Sequence, residues 1–161
     1  MKGLLVVIVL GVIGWFAYQK YAGGGGSPVI EDPVFGEIRV TQQIQSREIE
    51  MALFVRASSD NDCHTRAQES WKGALSACPT CVFQPVKCQK ELPARYARLF
   101  DDVPIPSTYL SATAAKKTER DGRLVIYGLT DAEGVQLCEL VRSQIGERYA
   151  GTTHCVKASG G

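Results

Sequence analysis

Seventeen consecutive residues, Gly3–Gln19, carry no charge, and all but Gln19 are apolar, aromatic or glycine. At a helical rise of ~1.5 Å per residue the run is roughly 25 Å long, near the lower limit for crossing a bilayer. Lys2 and Lys20 flank it, and Trp15, Tyr18 and Tyr21 stand where interfacial side chains belong. This predicts an uncleaved anchor over residues 1–22, meeting the membrane through residues 3–19. A cleaved signal peptide is the competing reading. Its apolar core is usually shorter, about 7–15 residues, and a cut after Ala22 would put Lys20 where a small side chain is preferred. No cysteine follows the run closely enough for a lipoprotein anchor. Lys2 and the amino terminus outweigh Lys20 followed by Glu31 and Asp32, so the positive-inside rule sends the C-terminal part outward. The expected location is an inner membrane, crossed once, with the C-terminal domain in the periplasm. Gly23–Gly26, Ser27 and Pro28 predict a flexible linker over residues 23–33. Residues 34–161 then form one globular domain.

Outward placement sets the reading of the six cysteines, Cys63, Cys78, Cys81, Cys88, Cys138 and Cys155. An even number facing an oxidising compartment predicts disulfides, and six cysteines allow about fifteen pairings. Lys2 and Lys20 apart, 16 basic side chains face 17 acidic ones. That balance offers no footprint for nucleic acid.

Choosing among the pairings requires secondary structure. Ile49–Ala57 alternates and then runs apolar through Met51, Leu53, Phe54 and Val55, the pattern of a buried strand. Ser58-Ser59-Asp60 supplies N-cap chemistry for a helix that carries Ala67, Trp71, Ala74 and Leu75 on one face. Val82–Cys88 reads as a strand held at a sheet edge by Pro85. A short helix is expected over Pro93–Phe100, ahead of the rigid Pro104-Ile105-Pro106. Thr108–Ala115 and Arg123–Leu129 read as a hairpin around Asp121-Gly122. Thr130 with Glu133 is a capping box opening a helix whose apolar side is Val135, Leu137, Cys138, Val141 and Ile145. Thr152–Lys157 predicts a last strand, and Val34–Thr41 an earlier one. In a strand–helix–strand unit the helix runs against its strands, so Cys63 at a helix start meets Cys88 at the end of the next strand. By the same argument Cys138 meets Cys155. Cys78 and Cys81 are left to each other or free.

The run Met51–Ile145 resembles the thioredoxin-like fold in element order. Ile105-Pro106-Ser107-Thr108-Tyr109-Leu110 is similar to that family's cis-proline and following strand. The resemblance implies an α/β (α+β) sandwich, a sheet with flanking helices. It also implies an active site at the first helix start, where this chain reads Asp60-Asn61-Asp62-Cys63. Asp60 occupies the position of the attacking thiol, so thiol–disulfide exchange loses its nucleophile there. A ferredoxin-like β-α-β-β-α-β arrangement is the alternative, and it needs Thr152–Lys157 beside the first strand. Sporulation-related repeat domains, which bind cell-wall glycan, have that architecture, and Tyr127–Glu133 resembles their second strand–helix junction.

Cys78-Pro79-Thr80-Cys81 is a C-x-x-C that follows a helix instead of opening one, so no helix dipole activates it. It reads as a loop staple. Zinc on Cys78, Cys81 and Cys88 with Cys63 or His64 is the reading for a reducing location. His64 and His154 each adjoin a cysteine in sequence, which makes no catalytic pair by itself. Asp101-Asp102 reads as a turn, and Lys116, Lys117, Arg120 and Arg123 as a solvated hairpin tip. The expected function is a noncatalytic envelope module, without cofactor or metal, that binds a protein or cell-wall partner around Asp60, Ile105 and Pro106. The alternative is a thiol–disulfide oxidoreductase or redox sensor using Cys63, Cys78 and Cys81.

Overall fold

The computed structural model describes residues 30–160 except 45, 79, 117–118 and 147–148, without the side chains of 70–77 and 146. The expected anchor over residues 1–22, most of the linker, and the helical face at Trp71, Ala74 and Leu75 lie outside what is described. No described helix is long and apolar enough to cross a membrane.

The chain opens with two eleven-residue strands, β1 (Val34–Ile44) and β2 (Arg47–Ala57), paired antiparallel along their full length. Helix α1 (Asp60–Ala77) follows, then the short strands β3 (Val82–Phe83) and β4 (Lys87–Gln89). A coil segment with 3-10 turns at Ala94–Tyr96 and Leu99–Asp101 leads to β5 (Tyr109–Thr113) and β6 (Gly122–Tyr127). Helix α2 (Asp131–Gly146) and β7 (Thr152–Val156) complete the domain. The result is an α+β domain on one seven-stranded open sheet, with β3 and β4 both on β1, then β1-β2-β6-β5-β7. Every described ladder is antiparallel.

Side-chain alternation assigns the two faces. Ile49, Met51, Leu53 and Val55 of β2, with Leu110, Ala112, Leu124 and Ile126, pack against Ala67 of α1 and Leu137, Val141 and Ile145 of α2. The opposite face carries Ala52, Phe54, Tyr109, Val125 and Val156, and the coil before β5 covers it with Tyr96 and Leu99. The apolar run of β2 is therefore continuous because both faces are buried.

Several expectations shift. The strand expected over Val82–Cys88 is two strands on one edge. Between their ladders Gln84–Val86 oppose only Ile38 and Arg39, so Pro85 sits in a bulge where no ladder donor is needed. The helix expected over Pro93–Phe100 is two separate 3-10 turns. Gly122 lies in β6 opposite Ala112, not in a tight turn, and residues 114–121 form a longer connection. That connection is internally tied. Ala114 N–H donates to Asp121 at 2.9 Å, and Ala115 and Ala150 N–H donate to Glu119 at 3.0 and 2.7 Å.

Strand order also departs from both likenesses. The thioredoxin-like reading implies parallel neighbours around the first helix, but β1 stands between β2 and β4. The ferredoxin-like reading needs the last strand beside β2; β7 instead pairs with β5 at the far edge. One cause serves both: Ile44 of β1 pairs with Arg47 of β2, a short sequence separation with a small entropic cost, and β1 fills that edge.

The expected solvated tip is corrected as well. Arg120 and Arg123 are buried, with only 3% of the Arg123 side chain exposed. Burial pushes the Arg123 pKa down, yet a guanidinium remains charged at neutral pH. It donates to Ala112 O and Gly122 O at 2.9 Å and to Leu99 O and Phe100 O at 3.3 Å, and pairs with Asp102 at 2.9 Å. Arg123→Ala is expected to cost about 3–5 kcal/mol, because it leaves a half-buried Asp102 and several carbonyls without their cation. Arg123→Lys should recover little, since an ammonium lacks the planar fork. Urea unfolding midpoints of the three proteins check both expectations.

Candidate functional site

The start of α1 gathers most of the residues singled out from sequence. Ser59 Oγ accepts from the Asp62 N–H at 3.1 Å, while Asp62 Oδ2 accepts from the Ser58 N–H and hydroxyl at 2.9 and 3.0 Å. Asp60 and Asp62 lie in the first turn, where carboxylates oppose the positive end of the helix dipole. Asp62 also accepts from Arg66 at 2.7 Å and from Arg120 at 2.9 Å. Burial by itself would raise its pKa, but the Ser58 N–H, Arg120 and Arg66 together hold it well below the usual carboxylate range. Asp62 thus joins the helix start to the 114–121 connection, a structural task.

Cys63, one residue on, is 1% exposed and bonded to Cys88. Cys88 lies directly opposite Gly36 across the β4–β1 ladder. A Cβ on Gly36 would stand 2.7 Å from Val55 and 3.0 Å from Cys63 Sγ, so the missing side chain makes room for the bridge. Cys138 of α2 and Cys155 of β7 form the second bridge, Cys78 and Cys81 the third, and no described cysteine is free. Helix and strand directions predict the first two pairings; Cys78 and Cys81, left to each other or free, are bonded to each other. With every thiol in a disulfide, the thiolates that a C-x-x-C zinc site requires are missing from this state.

Beside the Cys63–Cys88 bridge an open groove of about 650 Å³ is lined by Ile30, Glu31, Asp32, Val34, Ser58, Ser59, Asp60 and Lys90. Three carboxylates face one ammonium there, and Lys90 is engaged with Asp32 at 2.6 Å. Asp60, 73% exposed, holds His64 Nδ1 at 3.3 Å.

Other expected partners are not brought together. Cys78 and Cys81 follow the far end of α1, about 22 Å along the axis from Cys63, so the three candidate redox cysteines form no single centre. Ile105 and Pro106 precede β5, which runs parallel to β2 with Tyr109 level with Ala52. Asp60 lies beyond the other end of β2. The expected binding surface of Asp60, Ile105 and Pro106 therefore spans opposite ends of the sheet.

Two clusters carried no local signal. On the coil-covered face Arg39 contacts Glu37, Glu50 and Tyr96, and Tyr96 bonds Tyr127 at 2.7 Å. Alternation puts Glu37 and Arg39 on this face only once β1 is paired, so the strand pattern hid them. At the other edge His154 faces Ser111 across the β5–β7 ladder and sits 3.2 Å from Asp102, whose φ of 57° is left-handed. Ser111 Oγ is fully buried with no hydrogen-bond partner, so these three residues make no nucleophile relay.

Loop-closure entropy ranks the bridges by separation, at 25 residues for Cys63–Cys88, 17 for Cys138–Cys155 and 3 for Cys78–Cys81. Pairwise serine replacement is expected to cost about 3.5, 3 and 1.6 kcal/mol respectively, measured by chemical denaturation. Asp62→Asn should destabilise by ~2 kcal/mol at neutral pH. Because the folded pKa is depressed, that difference is present above the ordinary value of ~4 and shrinks as pH falls below it. Denaturation midpoints from pH 7 to pH 2 check the trend.

Comparison with protein-family models, with characterised proteins and with solved structures returns no match, so the residues themselves carry the functional reading.

Proposed function

We propose that this chain is a membrane-tethered, noncatalytic domain of the cell envelope that binds a partner in the acidic groove at the start of α1. The observation that carries the reading is the chemistry of that site. The start of α1 holds an exposed carboxylate, Asp60, which lines an open groove. Among the described residues, the sulfurs beside it, those of Cys63 and Cys88, are tied in one bridge. Glu31, Asp32 and Asp60 around Ile30 and Val34 complement an amine-bearing segment of a protein or of the cell wall. Three disulfides suit an oxidising compartment. They agree with the outward placement that the Lys2-flanked apolar run of residues 3–19 predicts.

A photoreactive residue replacing Asp60 in the full-length chain should trap a partner in intact cells, while the same residue replacing Gln136 on α2 traps none. A polypeptide adduct identifies a protein partner and a muropeptide adduct a wall partner. Equal trapping at both positions, or none at Asp60, overturns the binding site. The native chain should also show no titratable thiol and no turnover in insulin reduction. Turnover lost in Cys81→Ser would establish instead a thiol–disulfide oxidoreductase of degenerate thioredoxin type.

A further inference from the structure

Among the described residues, Asp60, His64 and Cys88 stand apart from the other acidic and sulfur groups in one respect. A carboxylate oxygen, an imidazole nitrogen and Cys88 Sγ lie within 4.8 Å of one another. Cys63 Sγ is bonded to Cys88 Sγ but lies outside that 4.8 Å group, so it is a fourth donor one bond length from it. Asp60 and His64 are one helical turn apart on α1, and Cys63 precedes His64, so a single turn supplies three of the four groups. Strand β4 supplies the last.

We propose that reduction of the Cys63–Cys88 bridge converts the start of α1 into a zinc site with Cys63, Cys88, His64 and Asp60 as ligands. Tetrahedral zinc with bonds of about 2.0–2.3 Å sets its ligand atoms roughly 3.3–3.8 Å apart. His64 Nδ1 and Asp60 Oδ2 already stand 3.3 Å apart. The two sulfurs must separate by about 1.7 Å from bonding distance to reach that spacing. Asp60 and His64 are exposed at 73% and 51%, so the ion has an open approach from the groove. Local charge suits it. Glu31 and Asp32 line the same groove, Lys90 is engaged with Asp32, and Asp62 is engaged with Arg66 and Arg120.

The chemistry balances with a dithiol as reductant. Two electrons and two protons pass from the dithiol to the Cys63–Cys88 bond, which breaks as the dithiol closes to its own disulfide. Zinc then displaces the two thiol protons, and His64 Nδ1 exchanges its contact with the Asp60 carbonyl, 3.0 Å, for the metal. Reoxidation by a disulfide, which accepts the two electrons as the Cys63–Cys88 bond re-forms, expels the ion. The bridge is thus a redox gate on a cation site as well as a staple.

Cobalt(II), the spectroscopic stand-in for zinc, tests this on the full-length chain in detergent. The oxidised protein should bind none at this site. After reduction by a phosphine it should bind one equivalent with tetrahedral d–d bands and thiolate charge transfer. Those bands should persist in Cys78→Ser/Cys81→Ser and weaken at least ~10-fold in affinity with His64→Ala. Cys63→Ala offers a second route that needs no reductant, because it frees Cys88 while the other two bridges remain. It should bind one equivalent through Cys88, His64 and Asp60, and His64→Ala in that background should abolish binding. Cobalt spectra indifferent to His64→Ala in both backgrounds overturn the proposal. So does failure of both proteins to bind, including failure because they unfold, since the site requires a fold that outlasts the bridge. The groove-binding reading uses the intact bridge and survives either result.

Discussion

A buried guanidinium holds the two layers on the coil side of this domain together. Arg123 reaches from the central strand β6 to carbonyls of the covering coil at Leu99 and Phe100, and to Asp102. Its ring contact with Phe100, 4.9 Å to the centroid, is matched by Arg56 at 4.7 Å from the same ring, so two cations contact one phenyl group. Without helices on this face, the sheet would expose Phe54, Tyr109 and Val125. The coil has no ladder of its own to supply hydrogen bonds, and Arg123 satisfies carbonyls that burial would otherwise leave at a cost. Tyr109 adds a bond to Val103 O at 2.9 Å; its hydroxyl, buried and close to Asp102, has a pKa pushed up to about 12 and stays a donor at neutral pH.

The second governing constraint is the long β1–β2 hairpin. It is the most local of the long pairings, so it forms at small entropic cost and occupies the edge of β2. The chain after α1 must then add to β1, and the chain after α2 must add to β5. That is why a strand–helix–strand order shared with common folds ends in a different sheet. The same arrangement sets β2 and β4 parallel with β1 between them, which still brings the start of α1 over the end of β4. Cys63 and Cys88 meet for that reason, across a strand that carries Gly36 at the point of contact.

Local chemistry was legible wherever it depended on residues a few positions apart. The capping box at Thr130 and Glu133 forms as written, and Arg47 joins it from β2; that pairing first, then the Thr130 bonds, hold the Glu133 carboxyl down to about 2. The cap within Ser58-Ser59-Asp60, made by Ser59, and the edge position of Pro85 were legible for the same reason. The Asp121-Gly122 signal misled because a turn dipeptide says nothing of the tertiary partners that Asp121 and Glu119 find. Arg120 and Arg123 misled likewise: a cluster of charges is solvated unless folding supplies it with carboxylates and carbonyls.

The amino-acid sequence by itself determined the helices and their caps, the apolar run of β2, and, through chain direction, which cysteines could meet. Each of these follows from side-chain period or from the sense in which a helix runs against its strands. Only the tertiary structure decided which edge β7 joined, that Arg123 is interior, and that Asp60, His64 and Cys88 converge beside an acidic groove. Those outcomes depend on register and strand order. They are contacts between distant segments, and competition for a sheet edge settles them where no local pattern can.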